Sequence, residues 1–268
     1  MLNVDRHKKI DWFVISFAVI GSVLLLFIFL PLLSTLLGTG LGLLWDTIGD
    51  PDVQSALWLT FYAAAWATFL AFLSGIPLAY LLARHDFWGK PWLEGMINLP
   101  IVIPHTAAGI ALLIVFGRQS IIGQLFAGLG IHFVDQVPGI VVGMLFVSLP
   151  FLVNAAREAF ALVDPDLERV ALSDGASRWQ AFFLVTLPLA WRGILSGALM
   201  MWGRGISEFG AIVILAYHPK TIPVLIYERF YGFGLSAAQP VAVILILASL
   251  IVFLFVQMVQ RARYQAKK

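Results

Sequence analysis

Long and uninterrupted apolar runs are the feature that most restricts the folds open to this chain. A helix of about 20 apolar residues crosses the hydrocarbon core of a bilayer, whereas the strands of a membrane barrel alternate apolar and polar residues. The chain contains six continuous runs, at about residues 12–37, 55–83, 96–116, 138–156, 189–216 and 240–259. The sequence therefore predicts an all-α, polytopic membrane protein with six transmembrane helices, in a single domain over residues 1–268.

The composition agrees with this class of protein. Charged residues make up 12% of the chain, whereas about a quarter of the residues of a soluble domain are charged. The first run is longer than the apolar core of a signal peptide, so we expect a transmembrane helix there. The sequence has no cysteine, which excludes disulfide bonds, thiolate catalysis and cysteine-bound metals. A net charge of +2 gives no sign of a nucleic-acid partner, and none is expected.

Two regions depart from simple spans. Pro100 and Pro104 lie within the third run, which predicts a broken helix packed against protein or against a water-filled cavity. Residues 217–239 are too polar to span a membrane and too apolar for a plain loop. We therefore expect an amphipathic segment at the outer rim of the molecule.

The positions of lysine and arginine predict the orientation in the membrane. With six spans, both termini and residues 158–188 lie on the same side. That side receives thirteen basic residues, namely Arg6, Lys8, Lys9, Arg84, Lys90, Arg157, Arg169, Arg178, Arg192, Arg261, Arg263, Lys267 and Lys268. The opposite side receives only Arg118, Lys220 and Arg229. Because cytoplasmic segments are enriched in lysine and arginine, both termini and the 158–188 segment are predicted to be cytoplasmic.

The longest polar interruption, residues 158–188, begins with the signals of a short capped helix. Asp164 is a favourable N-cap, and Pro165 suits the first helical position, where no N–H is needed. The helix carries one apolar stripe, formed by Leu167, Val170 and Ala171. Asp174 and Gly175 end it, since glycine readily takes the left-handed conformation found after helices. The pattern predicts an ordered element rather than a loose loop.

A second short helix is predicted directly after the first. Ser177 and Gln180 have the spacing of a capping box, which starts a helix. One face of this helix carries the aromatic residues Trp179, Phe182 and Phe183. Leu187 and Pro188 are expected to end it. Two short capped helices at right angles, set between spans, are predicted to protrude from the membrane for a partner to bind.

The 158–188 loop resembles the EAA loop of ABC importer permeases, which has the form E-A-A-x3-G-x9-I-x-L-P. Gly175 is followed after nine residues by Val185-Thr186-Leu187-Pro188, whereas Arg169-Val170-Ala171 occupies the Glu-Ala-Ala positions, one place after Glu168. The resemblance implies a coupling helix on which a cytoplasmic ATPase docks. The coupling residues that it implies are Asp164, Pro165, Leu167, Glu168, Arg169, Val170, Ala171, Asp174, Gly175, Ser177, Trp179, Leu187 and Pro188.

Charged residues inside the spans are the second candidate site. Arg204 and Glu208 lie one turn apart in the fifth run and can form an ion pair on one helix face. Such a pair either fixes helix packing only, or lines a translocation path in which Arg204 contacts an anion. His105, in the third run, is expected to hydrogen-bond to a neighbouring helix. The candidate path residues are His105, Thr106, Arg204, Ser207 and Glu208.

Motifs for independent catalysis are absent from the sequence. It has no nucleotide-binding loop of the form G-x4-G-K-[ST], no nucleophile elbow and no paired carboxylates within a span. Its five histidines are scattered, so no metal site is expected. We therefore assign no catalytic, metal-binding or cofactor-binding residue to this chain. ATP and Mg²⁺ are expected on a separate ATPase.

Two longer stretches resemble the permease subunits of molybdate and tungstate importers: NLPIVIPHTAAGIALLIVFG at 98–117 and GRGISEFGAIVILAYHPKTIPVLIYERF at 203–230. The resemblance implies a multi-pass permease of the cell membrane that imports a tetrahedral oxyanion. It also implies a homodimer of this chain, two ATPase subunits at the cytoplasmic face and an extracytoplasmic oxyanion-binding protein. Sulfate or thiosulfate permeases share much of this pattern and are an alternative. The alternatives from other classes are a passive channel and an intramembrane enzyme that uses His105, Glu208 and Arg204.

Overall fold

The structure, a computed structural model, describes residues 12–265, with side chains described over residues 12–254. Every regular element of this part is helical, as the sequence predicts. The helices are α1 (Trp12–Leu37), α2 (Leu41–Ile48), α3 (Pro51–Arg84), α4 (Lys90–Val102), α5 (His105–Phe116), α6 (Ile121–Ala127), α7 (Val137–Ala161), α8 (Pro165–Ser173), α9 (Arg178–Ala181), a π-helical turn (Phe182–Thr186), α10 (Leu187–Ile206), α11 (Gly210–Leu215), α12 (Ile222–Phe233) and α13 (Leu235–Gln265).

The membrane-spanning helices match the predicted runs. Among the described residues, five helical stretches are long and apolar enough to cross a membrane, and α4 with α5 makes a sixth if the bent pair is one span. The chain is therefore a multi-pass, all-α membrane protein. Several basic residues used to predict its orientation lie outside the described part, namely Arg6, Lys8, Lys9, Lys267, Lys268 and the side chains of Arg261 and Arg263.

Helices α3, α7 and α10 form the core of the fold. α7 is the most enclosed of the spans, with thirteen of its 25 residues buried. Gly193 and Gly197 of α10 pack directly on α7, and a Cβ at Gly193 would lie 2.5 Å from the Cβ of Ala159. Small residues allow helix backbones in a membrane to approach closely, so this crossing depends on glycine. By contrast, α1 has no buried residue and lies at the periphery.

The predicted break in the third span is confirmed. α4 ends at Val102, α5 begins at His105, and their axes are bent by 115°. Ile103 between them is extended, with ψ of 145°. This follows from Pro104, because a proline disfavours the helical conformation of the residue before it. The break places His105 at the first position of a helix inside the protein.

The fifth span differs from the prediction at both ends. It was expected to run unbroken over 189–216, but α10 ends at Ile206 and α11 begins only at Gly210. Pro188 was expected to end the second short helix, yet helical structure continues from Arg178 to Ile206. The missing N–H of Pro188 is tolerated because it lies in the first turn of α10, directly after the π-helical turn.

The segment at 217–239 contains the expected amphipathic helix. α12 buries Ile222 and Leu225 against α3 and α13, and Val224 in a cluster with residues of α3 and α7. It exposes aromatic side chains on its other side. An ion pair of 2.5 Å between Arg229 on α12 and Asp50, the N-cap of α3, ties the two helices together. α12 is therefore fixed to the end of a span.

Candidate functional site

The first helix of the 158–188 loop has the predicted caps. The Asp164 carboxylate accepts a hydrogen bond of 2.9 Å from the N–H of Asp166, and Pro165 is the first helical residue. After α8, Gly175 has a φ of +91°, and the N–H of Ala176 donates to the Ala171 carbonyl at 3.0 Å. This is the hydrogen bond that a left-handed glycine permits at a helix end. The predicted turn at Gly175 is confirmed.

The second helix begins with the predicted capping box. The Ser177 N–H donates to Gln180 Oε1 at 2.8 Å, and the Gln180 N–H donates to Ser177 Oγ at 3.3 Å. Trp179 stacks on Phe183, with ring centroids 6.0 Å apart. Both rings are more than half exposed. Phe182, the third residue of the predicted aromatic face, is half-buried against Tyr80 and Phe160, so only Trp179 and Phe183 of that face stay exposed.

The outer surface of the loop is apolar and uncovered in this chain. Leu167 and Val170 of the predicted stripe are 46% and 58% exposed, and Trp179 is 73% exposed. Ala171, the third member, is half-buried. Exposed apolar groups grouped on one ordered element are typical of a protein or membrane contact. The loop therefore presents a surface suited to a partner, as the sequence predicts.

Glu168 does not belong to that outer surface. Its carboxylate accepts hydrogen bonds from Tyr80 Oη at 2.9 Å, Arg84 Nε at 2.9 Å and Thr186 Oγ1 at 2.8 Å. It also forms an ion pair of 2.8 Å with Arg84 Nη2. Tyr80 and Arg84 lie at the end of α3, and Thr186 lies in the π-helical turn. Glu168 thus faces the spans.

The environment of Glu168 determines its charge. Burial raises the pKa of this carboxyl, but the hydrogen bonds from Thr186, Tyr80 and Arg84, with the arginine charge, together lower the pKa below its usual 4.5. A carboxylate with a lowered folded-state pKa stabilises the fold above its unfolded pKa and loses this contribution as the pH falls through the folded value. At neutral pH Glu168 is therefore ionised and its contacts are intact.

The other candidate residues of the loop are exposed or half-buried. Arg169 pairs with Asp166 at 2.5 Å, with both side chains mostly exposed. Asp174 is exposed beside Gly175. Leu187 is half-buried and Pro188 exposed, both inside the continuous helix rather than at its end. The structure therefore separates the loop residues into an outer set and the inward-facing Glu168.

Arg204 and Glu208 form the predicted ion pair, and His105 joins it. Arg204 Nη2 donates to Glu208 Oε2 at 2.8 Å. His105 Nδ1 lies 3.0 Å from the same oxygen and 2.8 Å from Arg204 Nη2. The N–H of Ala211 donates to Glu208 Oε1 at 2.9 Å. Both carboxylate oxygens are thus engaged, which compensates the cost of burying the charge.

This group of His105, Arg204 and Glu208, here termed the intramembrane cluster, lies where two broken spans cross. His105 is at the start of α5, and the other two residues flank the end of α10. A Cβ at Gly210 would lie 2.6 Å from the Cβ of His105, so the two breaks approach as closely as glycine permits. The chain changes direction at both breaks, and the cluster lies where they cross.

The solvent exposure of the three cluster side chains increases from Glu208 to Arg204 to His105. Glu208 is fully buried, whereas the side chains of Arg204 and His105 are 22% and 37% exposed. Ser207 is exposed, and its hydroxyl accepts a hydrogen bond of 3.2 Å from Arg204 Nη1. Thr106 is exposed too, but takes no part in these hydrogen bonds among the described side chains. The Ser207 hydroxyl itself donates to the Arg204 carbonyl at 3.0 Å. The cluster therefore presents the N–H groups of Arg204 on its exposed side and hides its carboxylate behind them.

This arrangement offers hydrogen-bond donors rather than a metal site. Within residues 12–254, no group of three or more His, Asp or Glu side chains is arranged to hold a metal ion. An intramembrane enzyme, the alternative from another class, would need at least two of the three cluster residues within hydrogen-bond distance of each other. All three meet that condition. Glu208 is however fully buried, with both oxygens engaged, which leaves it poorly placed as a base.

Sequence reasoning missed two contacts. The link from His105 to Arg204 joins residues 99 positions apart and depends on the crossing of two breaks. The available signals of these breaks were Pro104 and the glycines at 203, 205 and 210, which permit either close helix approach or a hinge. The inward orientation of Glu168 depends on partners 84 and 88 residues earlier. A helical wheel does place Glu168 off the stripe of Leu167 and Val170, which was the available signal.

Comparison with known proteins identifies a matching family and similar proteins. The sequence pattern of the family described as binding-protein-dependent transport system inner membrane component matches residues 75–264. The molybdate/tungstate transport system permease protein WtpB of Pyrococcus furiosus is 44% identical over 256 residues, covering 95% of this chain and 96% of that protein. A probable sulfate transport system permease protein, cysT of Chlorokybus atmophyticus, is 31% identical over 220 residues, covering 81% and 77%.

A solved structure shares the fold. The crystal structure of a bacterial ABC transporter involved in the import of the acidic polysaccharide alginate superposes with a TM-score of 0.74, covering 94% of this chain and 96% of that chain. Its sequence is only 18% identical, so this likeness concerns the arrangement of helices alone.

Proposed function

Since the chain belongs to the family of binding-protein-dependent transport system inner membrane components, and is the permease subunit of an ABC importer, we propose that its cargo is a tetrahedral oxyanion, molybdate or tungstate. The observation that favours an anion as cargo is the partly exposed guanidinium of Arg204, beside the partly exposed His105, inside the membrane region. The relative at 44% identity is named for molybdate and tungstate. The relative named for sulfate is 31% identical, so sulfate or thiosulfate is the second candidate.

The charge balance of the intramembrane cluster suits a path rather than a tight binding site. Arg204 supplies one positive charge, and the buried Glu208 carboxylate compensates it at 2.8 Å. An oxyanion at this point meets the N–H donors of Arg204 without a large net attraction. Transport requires that the ion enter and also leave, so weak binding is favourable. We propose that His105, Thr106, Arg204 and Ser207 line the path and that Glu208 holds Arg204 in position.

The substrate proposal has a direct test in vesicles. Uptake by the reconstituted permease with its ATPase and binding protein is expected to saturate with molybdate or tungstate, and sulfate is expected to compete weakly. Sulfate uptake as efficient as that of molybdate would favour the second candidate. Uptake of a sugar or an amino acid without any oxyanion uptake would contradict the proposal.

The exposed polar face of the cluster supports a homodimer. Arg204, His105 and Ser207 are partly exposed in a single chain, and a charge facing lipid is costly. A second copy of the chain would place this face on a shared, water-filled path between the subunits. Two ATPase subunits carrying ATP and Mg²⁺ would then bind the outer faces of the two 158–188 loops, and a binding protein would deliver the oxyanion from the opposite side.

We propose that both termini and the 158–188 loop are cytoplasmic, as the distribution of lysine and arginine predicts, and labelling tests this orientation. The chain has no cysteine, so single cysteines give an unambiguous signal. Asp52→Cys, exposed in the first turn of α3, is expected to react with a membrane-impermeant reagent from outside intact cells. Ser173→Cys, exposed at the end of α8, is expected to react only after permeabilisation. Asp52 is preferable to Asp50, which pairs with Arg229. The reverse labelling pattern would place the loop away from any cytoplasmic ATPase.

We propose that the intramembrane cluster has no catalytic activity of its own. Both Glu208 oxygens already accept hydrogen bonds, and the sequence supplies neither a nucleotide-binding loop nor an activated nucleophile. A passive channel would have no use for an ordered loop with an uncovered apolar face. The loop and the cluster together are best explained by ATP-driven transport.

A further inference from the structure

The Glu168 carboxylate joins α8 to the end of α3 and to the π-helical turn before α10. It belongs to α8 of the 158–188 loop and contacts Tyr80 and Arg84 at the end of α3. It also accepts a hydrogen bond from Thr186 at 2.8 Å, in the π-helical turn that leads into α10. One side chain thus connects the loop to two of the three core spans.

This junction is enclosed by the chain itself. The side chains of Arg84 and Glu168 are only 9% and 15% exposed, and Thr186 is fully buried. The Tyr80 ring packs edge-on against Phe160 and Phe182, at centroid distances of 5.5 Å and 4.9 Å. The junction is therefore a fixed part of the permease rather than a surface on which a partner can dock.

The other ion pair described on α8, between Arg169 and Asp166, is exposed to solvent. Arg169 and Asp166 are three residues apart on the same helix, and their side chains are 75% and 69% exposed. Such pairs contribute little to stability because solvent screens them. The pair of Arg84 and Glu168 is shielded from water and connects separate helices. It can therefore hold their relative orientation.

We propose that Glu168 is a positioning residue that fixes α8 against the ends of α3 and α10, so that movement of the 158–188 loop is passed to both spans. Without this junction, α8 would hinge at Asp164 and Gly175, and its displacement would be lost in bending of the loop. The inference rests on the proposed function, since it takes an ATPase at the loop as the source of movement.

The functional test compares transport with ATP hydrolysis in the same reconstituted complex. Glu168→Ala removes every contact, whereas Thr186→Val and Tyr80→Phe each remove one hydroxyl that donates to Glu168. Glu158→Gln, an exposed carboxylate near the end of α7, is the matched control. In all four variants the ATPase is expected to co-purify and to hydrolyse ATP near the wild-type rate.

The expected readout is substrate transported per ATP hydrolysed. This ratio should fall about tenfold in Glu168→Ala and about threefold in each hydroxyl variant, because hydrogen bonds to a charged group are the stronger ones. It should not change in Glu158→Gln. The inference is overturned if the ratio is unchanged in Glu168→Ala, or if Glu168→Ala loses the ATPase while Thr186→Val behaves as wild type. The latter result would make Glu168 a docking contact.

A second measurement tests the junction independently of transport. His85→Cys, directly after α3, and Ser173→Cys, at the end of α8, are exposed sites for a pair of spin labels in the full chain. The distance between the labels is expected to be narrowly distributed in the otherwise wild-type and Glu158→Gln proteins, and broad in Glu168→Ala. An equally narrow distribution in Glu168→Ala would overturn the inference. If the distribution broadens but no oxyanion is transported by the wild type, the proposed function fails and the junction stands.

Discussion

Replacing Glu208 with glutamine is expected to abolish transport and to lower the thermal stability of the permease. The carboxylate is fully buried and accepts hydrogen bonds from Arg204 and from the N–H of Ala211, with His105 3.0 Å away. Glutamine retains one acceptor oxygen and turns an NH₂ group toward another donor. Arg204 then loses its counter-charge, at a cost on the order of 1–3 kcal/mol. Uptake and the melting temperature of the purified complex measure both effects, with Glu158→Gln as the control.

A double variant distinguishes packing from transport as the role of the pair. Arg204→Met combined with Glu208→Leu removes both charges, and replacing a buried ion pair by apolar groups is often tolerated. We expect this variant to be more stable than Glu208→Gln and yet to transport no oxyanion, because the donor group of the path is gone. Full transport by the double variant would exclude both residues from the mechanism.

The second large effect is expected at the turn of the 158–188 loop. Gly175 has a φ of +91°, and a Cβ built there meets no atom within 4 Å. The penalty for a substitution is thus conformational rather than steric crowding, and is largest for a β-branched residue. Gly175→Val is expected to reduce transport at least about tenfold by tilting α8 against α9, while membrane insertion stays normal. Gly175→Asn is the matched control, because asparagine tolerates the left-handed conformation.

The same surface can be altered from the contact side. Leu167→Glu places a charge in the exposed apolar stripe, where burial against a partner would leave it unpaired. Stimulated ATP hydrolysis and uptake are expected to fall together in this variant, whereas Leu167→Met should retain both. Near-normal transport in Gly175→Val and Leu167→Glu would show that the loop only lies on the membrane surface.

Local signals in the sequence predicted the loop well. The caps at Asp164 and Ser177 and the turn at Gly175 depend on bonds between residues at most five positions apart, so the residue types are sufficient to identify them. The spans were predicted for the same reason, since the length of an apolar run is a local property. Pro104 likewise predicted the break before α5.

The contacts that assemble the Glu168 junction and the intramembrane cluster join residues far apart in the sequence, so they could not be predicted from local patterns. Glu168 was assigned to the ATPase surface by its place in a motif, but its partners on α3 are 84 and 88 residues earlier. The break after Ile206 was visible only as a group of glycines, which favour either close helix approach or a turn. Pro188 was interpreted as a helix end, although proline is also accepted in the first turn of a helix.

The unbroken helical stretch from Arg178 to Ile206 has a mechanical consequence. Its 29 residues make a rod about 43 Å long, since each residue of an α-helix adds about 1.5 Å. One end of the rod carries the exposed Trp179, and Arg204 lies within the last turn at the other end. A tilt of about 5° about one end of a rod of this length displaces the other end by about 4 Å. That distance exceeds the length of the bonds between Arg204, His105 and Glu208. If the stretch moves as one rigid body, a rotation of this size imposed on the loop would separate Arg204 from His105 and so open the contact between the two broken spans.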